Sequence, residues 1–247
     1  MRPPEAWYVT RTMRALELLA FQPRSAPQVA AALEVHPRTA RRLLNRLLEE
    51  SYLTRTDDAR RLYAPTMRLV ALAGQVVERS ELTKIAAPFV ARLHEQTGAT
   101  AHLAVPSYRS ALCLVHRENG SAPVPPRLRE LVPCHCAATG KALLSWRDAW
   151  RESVLSAPLE RRTDRTLTDP AALRADAEAT RERGYATEDG ELQDGVRAVA
   201  APVFSASGEA VAALGVSGID APATDDLAAR VVGLAQELTT ALAGADA

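Results

Sequence analysis

The sequence predicts an α+β chain of two domains, an N-terminal winged helix-turn-helix followed by an α/β domain with an antiparallel sheet. Three observations carry this. The chain opens with three short helical periodicities separated by tight turns, a small hairpin pattern follows directly, and beyond residue 80 helical segments alternate with apolar strand-like runs. The expected domains are 1–75, which includes the start of a linker helix, and 76–247. Of the 247 residues 47% are hydrophobic, enough for sizeable cores and contrary to a mainly disordered chain. No apolar run approaches the roughly 18–20 residues of a membrane-spanning helix. The first residues lack the apolar stretch of a secretory signal, and Cys113, Cys134 and Cys136 are too sparse and odd in number for a disulfide framework. A cytoplasmic location without membrane contact is expected.

Within residues 10–20, Met13, Leu16, Leu19 and Ala20 recur at helical spacing between charged residues, a first amphipathic helix. Ser25-Ala26-Pro27-Gln28 reads as a helix start. Ser25 can accept from the backbone N–H three residues on, Gln28 can reach back, and Pro27 suits the first turn. This second helix should run to about Leu33. His36-Pro37 then restarts the helix, because the residue before a proline is driven from the helical region while the proline itself fits a first turn. In the third helix, about residues 37–51, Ala40, Leu43, Leu44, Leu47 and Leu48 form one apolar stripe. Arg38, Arg42 and Asn45 project from the opposite face, with Thr39, Arg41 and Arg46 on its flanks. The alternating Glu/Lys pattern of a solvated helix is missing there.

Residues 52–56 and 62–65 are β-prone stretches around the polar tip Asp57-Asp58-Ala59-Arg60-Arg61. A hairpin directly after a helix-turn-helix is a wing, and Arg55, Arg60 and Arg61 put positive charge where a wing meets phosphates. Residues 66–77 resume helical periodicity through Met67, Leu69, Val70, Leu72, Ala73 and Val76, a linker helix with a face for a second subunit. Further on, residues 86–96 are helical, and 101–105 and 111–117 are consecutive strands that turn at Pro106-Ser107. Residues 122–126 form a Pro-rich loop. Helices are expected at 139–146 and at 171–183, the second capped by Gly184. The apolar runs 196–204 and 210–217, bounded by Gly208 and Gly218, are buried antiparallel strands, and 224–242 is a closing helix.

Several strings, in this order and spacing, resemble the IclR family of bacterial transcriptional regulators. They are Arg14-Ala15-Leu16-Glu17-Leu18-Leu19, Thr39-Ala40-Arg41-Arg42-Leu43-Leu44 with Leu47, and the wing's closing Tyr63. In the second half they are His135-Cys136-Ala137-Ala138-Thr139-Gly140-Lys141-Ala142-Leu143-Leu144, residues 166–173, Arg183-Gly184-Tyr185, residues 195–203 and Val216-Ser217-Gly218. The resemblance spans nearly the whole chain. It implies a winged helix-turn-helix paired with a GAF-like effector-binding domain, assembled as a homodimer or as a tetramer built from dimers. It also implies a function: a ligand-responsive repressor that binds a roughly palindromic double-stranded DNA operator and is modulated by a small organic acid or related metabolite. The third helix would lie in the major groove, where an Arg can donate twice to a guanine edge and Asn can pair with adenine, each worth about 1–3 kcal/mol of discrimination.

The effector residues come by the same resemblance. In the family the loop before the Gly-Lys pair, an acidic residue after the Gly-Tyr, and small polar residues on the last two strands hold a carboxylate-type ligand. The matching positions are Ala138 and Thr139, Glu188, Ala198, and Gly215 and Ser217, with His135 positioning the loop. Ala198 and Gly215 stand where the family commonly offers Cys and Ser. The pocket is therefore expected to be more apolar or roomier, fit for an aromatic acid or a larger amphipathic metabolite. A regulator whose second domain only joins subunits is the alternative reading.

Catalysis has little support in the sequence. Gly140-Lys141 lacks the upstream glycine of a phosphate-binding loop and continues with Ala142, and Gly215-Val216-Ser217-Gly218 closes one position early for a nucleophile elbow. A thiol enzyme built on Cys134 or Cys136 with His135 or His116 is the remaining enzyme reading. In an extended stretch Cys134 and Cys136 share a face while His135 points away, and their spacing is shorter than zinc sites use, so no metal and no cofactor is expected. The balance of 30 basic against 30 acidic residues is an average. Residues 1–74 hold 12 Arg, no Lys and 7 acidic residues, a net +5, which leaves −5 for the rest. Such a split holds the basic part on phosphates and keeps the acidic part off them.

Overall fold

The first apolar repeat folds as helix α1 (Glu5–Phe21), whose Ala15, Leu16 and Leu19 share one core with residues of α2 (Ala26–Ala32) and α3 (Pro37–Glu49). The structure, a computed structural model, describes residues 5–57, 61–118, 126–219 and 224–245. It divides into two compact units, Met1–Arg79 and Ser80–Ala247. Among the described residues no helix is long and apolar enough to cross a membrane.

In the first unit, Gln28 Oε1 accepts from both the backbone N–H and the hydroxyl of Ser25, at 2.8 and 3.0 Å, which fixes the start of α2. The turn into α3 places Glu34 at φ +52, a left-handed conformation, and closes with Val35 N–H donating to Ala30 C=O at 3.0 Å. His36 is extended before Pro37, and its Nδ1 accepts from Arg38 N–H at 3.2 Å, so it caps α3. The wing is β2 (Leu53–Asp57) paired antiparallel with β3 (Leu62–Pro65). A third strand, β1 (Arg24–Ser25), pairs with Tyr63 and Leu62. Two residues carry no period, so this strand left no pattern to read. Helix α4 (Arg68–Glu78) is tied to the wing base: the Arg68 guanidinium donates to Glu50 C=O and lies 4.5 Å from the Tyr52 ring centroid.

The second unit runs α5 (Glu81–Thr97), β4 (Thr100–Ser107), β5 (Ser110–Arg117), β6 (Leu131–Pro133), α6 (Ala138–Trp146), α7 (Asp148–Leu155), α8 (Pro170–Arg183), β7 (Ala186–Asp189), β8 (Arg197–Phe204), β9 (Ala210–Ser217) and α9 (Asp225–Ala245). Its sheet has the order β6-β5-β4-β9-β8-β7, antiparallel throughout. Strand alternation sorts the side chains. Leu103, Val199, Ala201, Val203, Ala212, Leu214 and Val216 pack with α5 and α9, whereas Ala198, Ala200 and Ala213 pack with Ala138, Ala142 and Leu143 of α6.

One expected turn is corrected. Pro106 and Ser107 belong to β4, and the chain turns at Tyr108-Arg109. Pairing of β4 with β9 ends at Ala104, so Pro106 lies where only β5 bonds the strand and a missing N–H is tolerated. Of the Pro-rich loop, all but Pro126 lies outside the described residues.

Candidate functional site

The apolar stripe of α3 is buried through Ala40, Leu43, Leu44 and Leu47, which turns the opposite face outward. Arg38, Thr39, Arg41, Arg42, Asn45 and Arg46 line one surface there with His36 and Glu49. Arg41 and Asn45 also border a second cleft, lined by Arg55, Arg61 and Tyr63 of the wing and by Ser25, Ala26 and Pro27 at the start of α2. The structure thus brings the expected helix and wing residues into one continuous basic surface. Arg60 lies outside the described residues.

These arginines are not equally free. Arg42 Nε donates to the Tyr8 hydroxyl at 2.5 Å, with its charge 4.9 Å from the ring centroid. Arg46 pairs with Glu49 at 3.0 Å, and Arg55 lies 5.8 Å from the Tyr63 ring centroid. Tyr8 was missed by sequence reasoning, because 34 residues separate it from Arg42.

In the second unit, register gathers positions that are far apart in sequence. Glu188, Ala198, Ser217 and Thr100 form one cross-strand row, and Ala200, Gly215 and His102 form the next. Ala138 and Thr139 lie in the first turn of α6, over this face. Thr139, Ser217, Glu188 and His135 are buried, and among the described residues the Thr139 and Ser217 hydroxyls have no hydrogen-bond partner. Gly140 lets α6 begin so close to its own entry loop: a Cβ there would fall 2.3 Å from Cys134 Cα. At Gly215 the expected extra room does not arise, because a Cβ would meet Val199 O at 2.6 Å and Ala200 Cβ at 2.8 Å. The sheet itself fills that space.

Loops close the face. His135 Nε2 lies 2.8 Å from Glu160 O. The Thr163 hydroxyl donates to Gly190 C=O at 2.6 Å and the Thr166 hydroxyl to Glu191 C=O at 2.7 Å. Glu188 Oε1 accepts from Leu192 N–H at 3.1 Å, and burial pushes its carboxyl up to about 8. Lys141, buried, pairs with Glu191 at 2.6 Å and Asp176 at 3.2 Å. A cleft of about 350 Å³ runs between Glu160, Arg162 and Thr163 on one side and Leu192 and Asp194 on the other, the segments fastened to His135 and Glu188.

The thiols are unsuited to nucleophilic work. All three are buried, and burial pushes Cys113 and Cys134 up to about 12 and raises Cys136 as well, so they stay protonated. Cys134 Sγ donates to Arg109 C=O at 2.9 Å. Among the described residues no three His, Cys, Asp or Glu side chains converge as a metal would require.

Comparison with known proteins agrees with this architecture. Residues 8–57 match the IclR helix-turn-helix domain, and residues 74–243 match the family described as bacterial transcriptional regulator IclR C-terminal. The chain is 30% identical to the HTH-type transcriptional regulator RhmR of Escherichia coli K12 over 243 residues, 95% of this chain and 92% of that protein. Its fold matches a crystal structure of an IclR transcriptional regulator from Alicyclobacillus acidocaldarius with a TM-score of 0.78 at 23% identity, covering 96% and 97% of the two chains. It also matches an IclR homologue from Microbacterium hydrocarbonoxydans solved with 4-hydroxybenzoate, with a TM-score of 0.75 at 26% identity over 96% and 99%. The chain belongs to the IclR family of bacterial transcriptional regulators, with the family's DNA-binding helix-turn-helix followed by its C-terminal domain.

Proposed function

We propose that this regulator represses transcription from a roughly palindromic operator, which it binds as a dimer or as a tetramer of two dimers, and that a small organic acid or related metabolite modulates it. The observation that carries the reading is the exposed basic face of α3, continuous with the wing. In this reading α3 enters the major groove, where Arg38, Arg42 and Asn45 contact base edges. Arg55, Arg60 and Arg61 hold phosphates, which adds affinity and salt dependence without sequence information. One such helix reads a short site, so two copies are needed for a specific operator.

The effector lies over β8 and β9 beneath the start of α6. The first-turn N–H groups of Ala138 and Thr139 receive its anionic end, as helix starts do. The buried Thr139 and Ser217 hydroxyls supply hydrogen bonds, and Glu188, held protonated by burial, donates one more. The relative solved with 4-hydroxybenzoate supports an aromatic acid or one of similar size. Coupling arises because the effector binds one arrangement of the subunits better than another, which changes the spacing of recognition helices.

A thermal-shift screen of oxoacids, aromatic acids and sugar-derived acids tests this, followed by operator titration with each hit. One class should raise Tm by mass action and weaken operator binding. A ligand that binds tightly and leaves operator affinity unchanged would sink the proposed coupling.

A further inference from the structure

None of the family-matched effector positions lies on β4. Its register pairs Thr100 with Ser217 and His102 with Gly215, which makes His102 and Ser217 diagonal neighbours on one face of the sheet. Alternation turns Ala101 and Leu103 into the core shared with α5 and α9, and leaves His102 on the α6 side with Ala198 and Ser217. The imidazole is 1% exposed, and among the described residues its Nδ1 has no hydrogen-bond partner. Thr139 Oγ1 and Ser217 Oγ, on the same buried side, share that condition. Buried polar atoms in native proteins are nearly always paired, because an unmade hydrogen bond there is costly. Three of them around one face mark a place for a polar ligand.

The ring's charge state narrows the ligand chemistry. His116 is the cross-strand partner of His102. Burial, and then His116, push His102 down to about 3, only partly offset by a hydrogen bond of the ring with the Thr100 backbone. The ring is neutral near physiological pH, able to donate and accept hydrogen bonds but offering no positive charge. Lys141 is already engaged by Glu191 and Asp176.

We infer that His102 is a further effector-reading residue, which hydrogen-bonds a hydroxyl of the ligand and so selects a hydroxylated acid over its bare analogue. The inference rests on the effector site proposed for this domain. The carboxylate is taken at the start of α6, and the uncharged hydroxyl by the neutral imidazole on β4. A site whose buried polar groups are matched by a ligand hydroxyl rejects the analogue lacking it, since the partner would be left unpaired.

The test is calorimetric titration of the full chain, and of its His102→Leu and His102→Gln variants, with matched probes: 4-hydroxybenzoate against benzoate, and lactate against propionate. The wild type should bind the hydroxylated member of at least one pair about tenfold more tightly. His102→Leu should lose that preference while still binding the bare acid, and His102→Gln should restore part of it. The inference is overturned by a wild type that binds an acid with no preference for the hydroxyl, which needs no folded variant to observe. It is equally overturned by a His102→Leu protein that keeps the full preference. Failure of the wild type to bind any acid overturns the effector reading itself, and the inference with it.

Discussion

Arg42 illustrates what a single residue's position in sequence leaves out. Its helical phase turns it outward, but the Tyr8 hydroxyl at 2.5 Å and the ring beneath it hold the guanidinium in one orientation. Tyr8→Phe keeps the ring and removes the hydroxyl, so operator affinity should fall severalfold, while Arg42→Ala should lose about 1–3 kcal/mol of specific binding. Titration at fixed salt checks both, and equal affinity for Tyr8→Phe and wild type would contradict the orienting role. Glu188 is a second case. Burial raises its carboxyl from 4.5 to about 8, so the folded state holds a proton that the unfolded state releases. The associated stability is present in full below about 4.5 and is lost as pH rises through about 8. Glu188→Gln keeps the shape and the acceptor for Leu192 N–H. It should be more stable than wild type at pH 8, by roughly 1 kcal/mol or more, and flatten the pH dependence between 5 and 8 in denaturant melts. An unaltered pH profile would show that Glu188 ionises freely in the folded protein.

Among the elements, α6 concentrates the constraints of its unit. Gly140 sits against the backbone of Cys134, and Lys141 joins α6 to Asp176 on α8 and to Glu191 in the loop after β7. Lys141→Met should cost about 3–5 kcal/mol, because it leaves the Glu191 carboxylate without its counter-charge, while Asp176 keeps only Arg183 at 3.8 Å. A urea midpoint equal to wild type would refute that. Legibility followed length and period. The apolar stripe of α3 and the two long runs β8 and β9 were visible because each repeats a pattern over several turns or pleats, and the cap of α8 because a left-handed glycine, Gly184, follows its helical run. Strands β1, β6 and β7 have 2, 3 and 4 residues, too few for alternation to register, and tertiary pairing alone creates them. Pro106 misplaced a turn for a related reason: whether a proline ends a strand depends on which side of it is bonded, and that is a property of the sheet.

Across the whole molecule, the basic surface was legible because it lies on one helix and one hairpin, where local phase decides which side chains share a face. The proposed effector site was reached only through family resemblance, since its residues come from three strands, a helix start and the loop before it, and only the register of the sheet sets the strand residues in adjacent rows. His102 had no local signal of any kind. The charge split of +5 and −5 predicts that the salt dependence of DNA binding arises in the first domain. Arg55→Ala or Arg61→Ala should therefore lower the slope of log affinity against log salt by about 1 for each phosphate no longer neutralised, on any DNA sequence. Operator reading by the exposed face of α3 is tested most directly by titrating the wild type and the Arg38→Ala, Arg42→Ala double variant against operator and unrelated DNA at one fixed salt. The double variant should keep its fold, since both side chains are exposed, while its preference for operator falls at least tenfold. Undiminished specific affinity in that variant would contradict a reading role for α3.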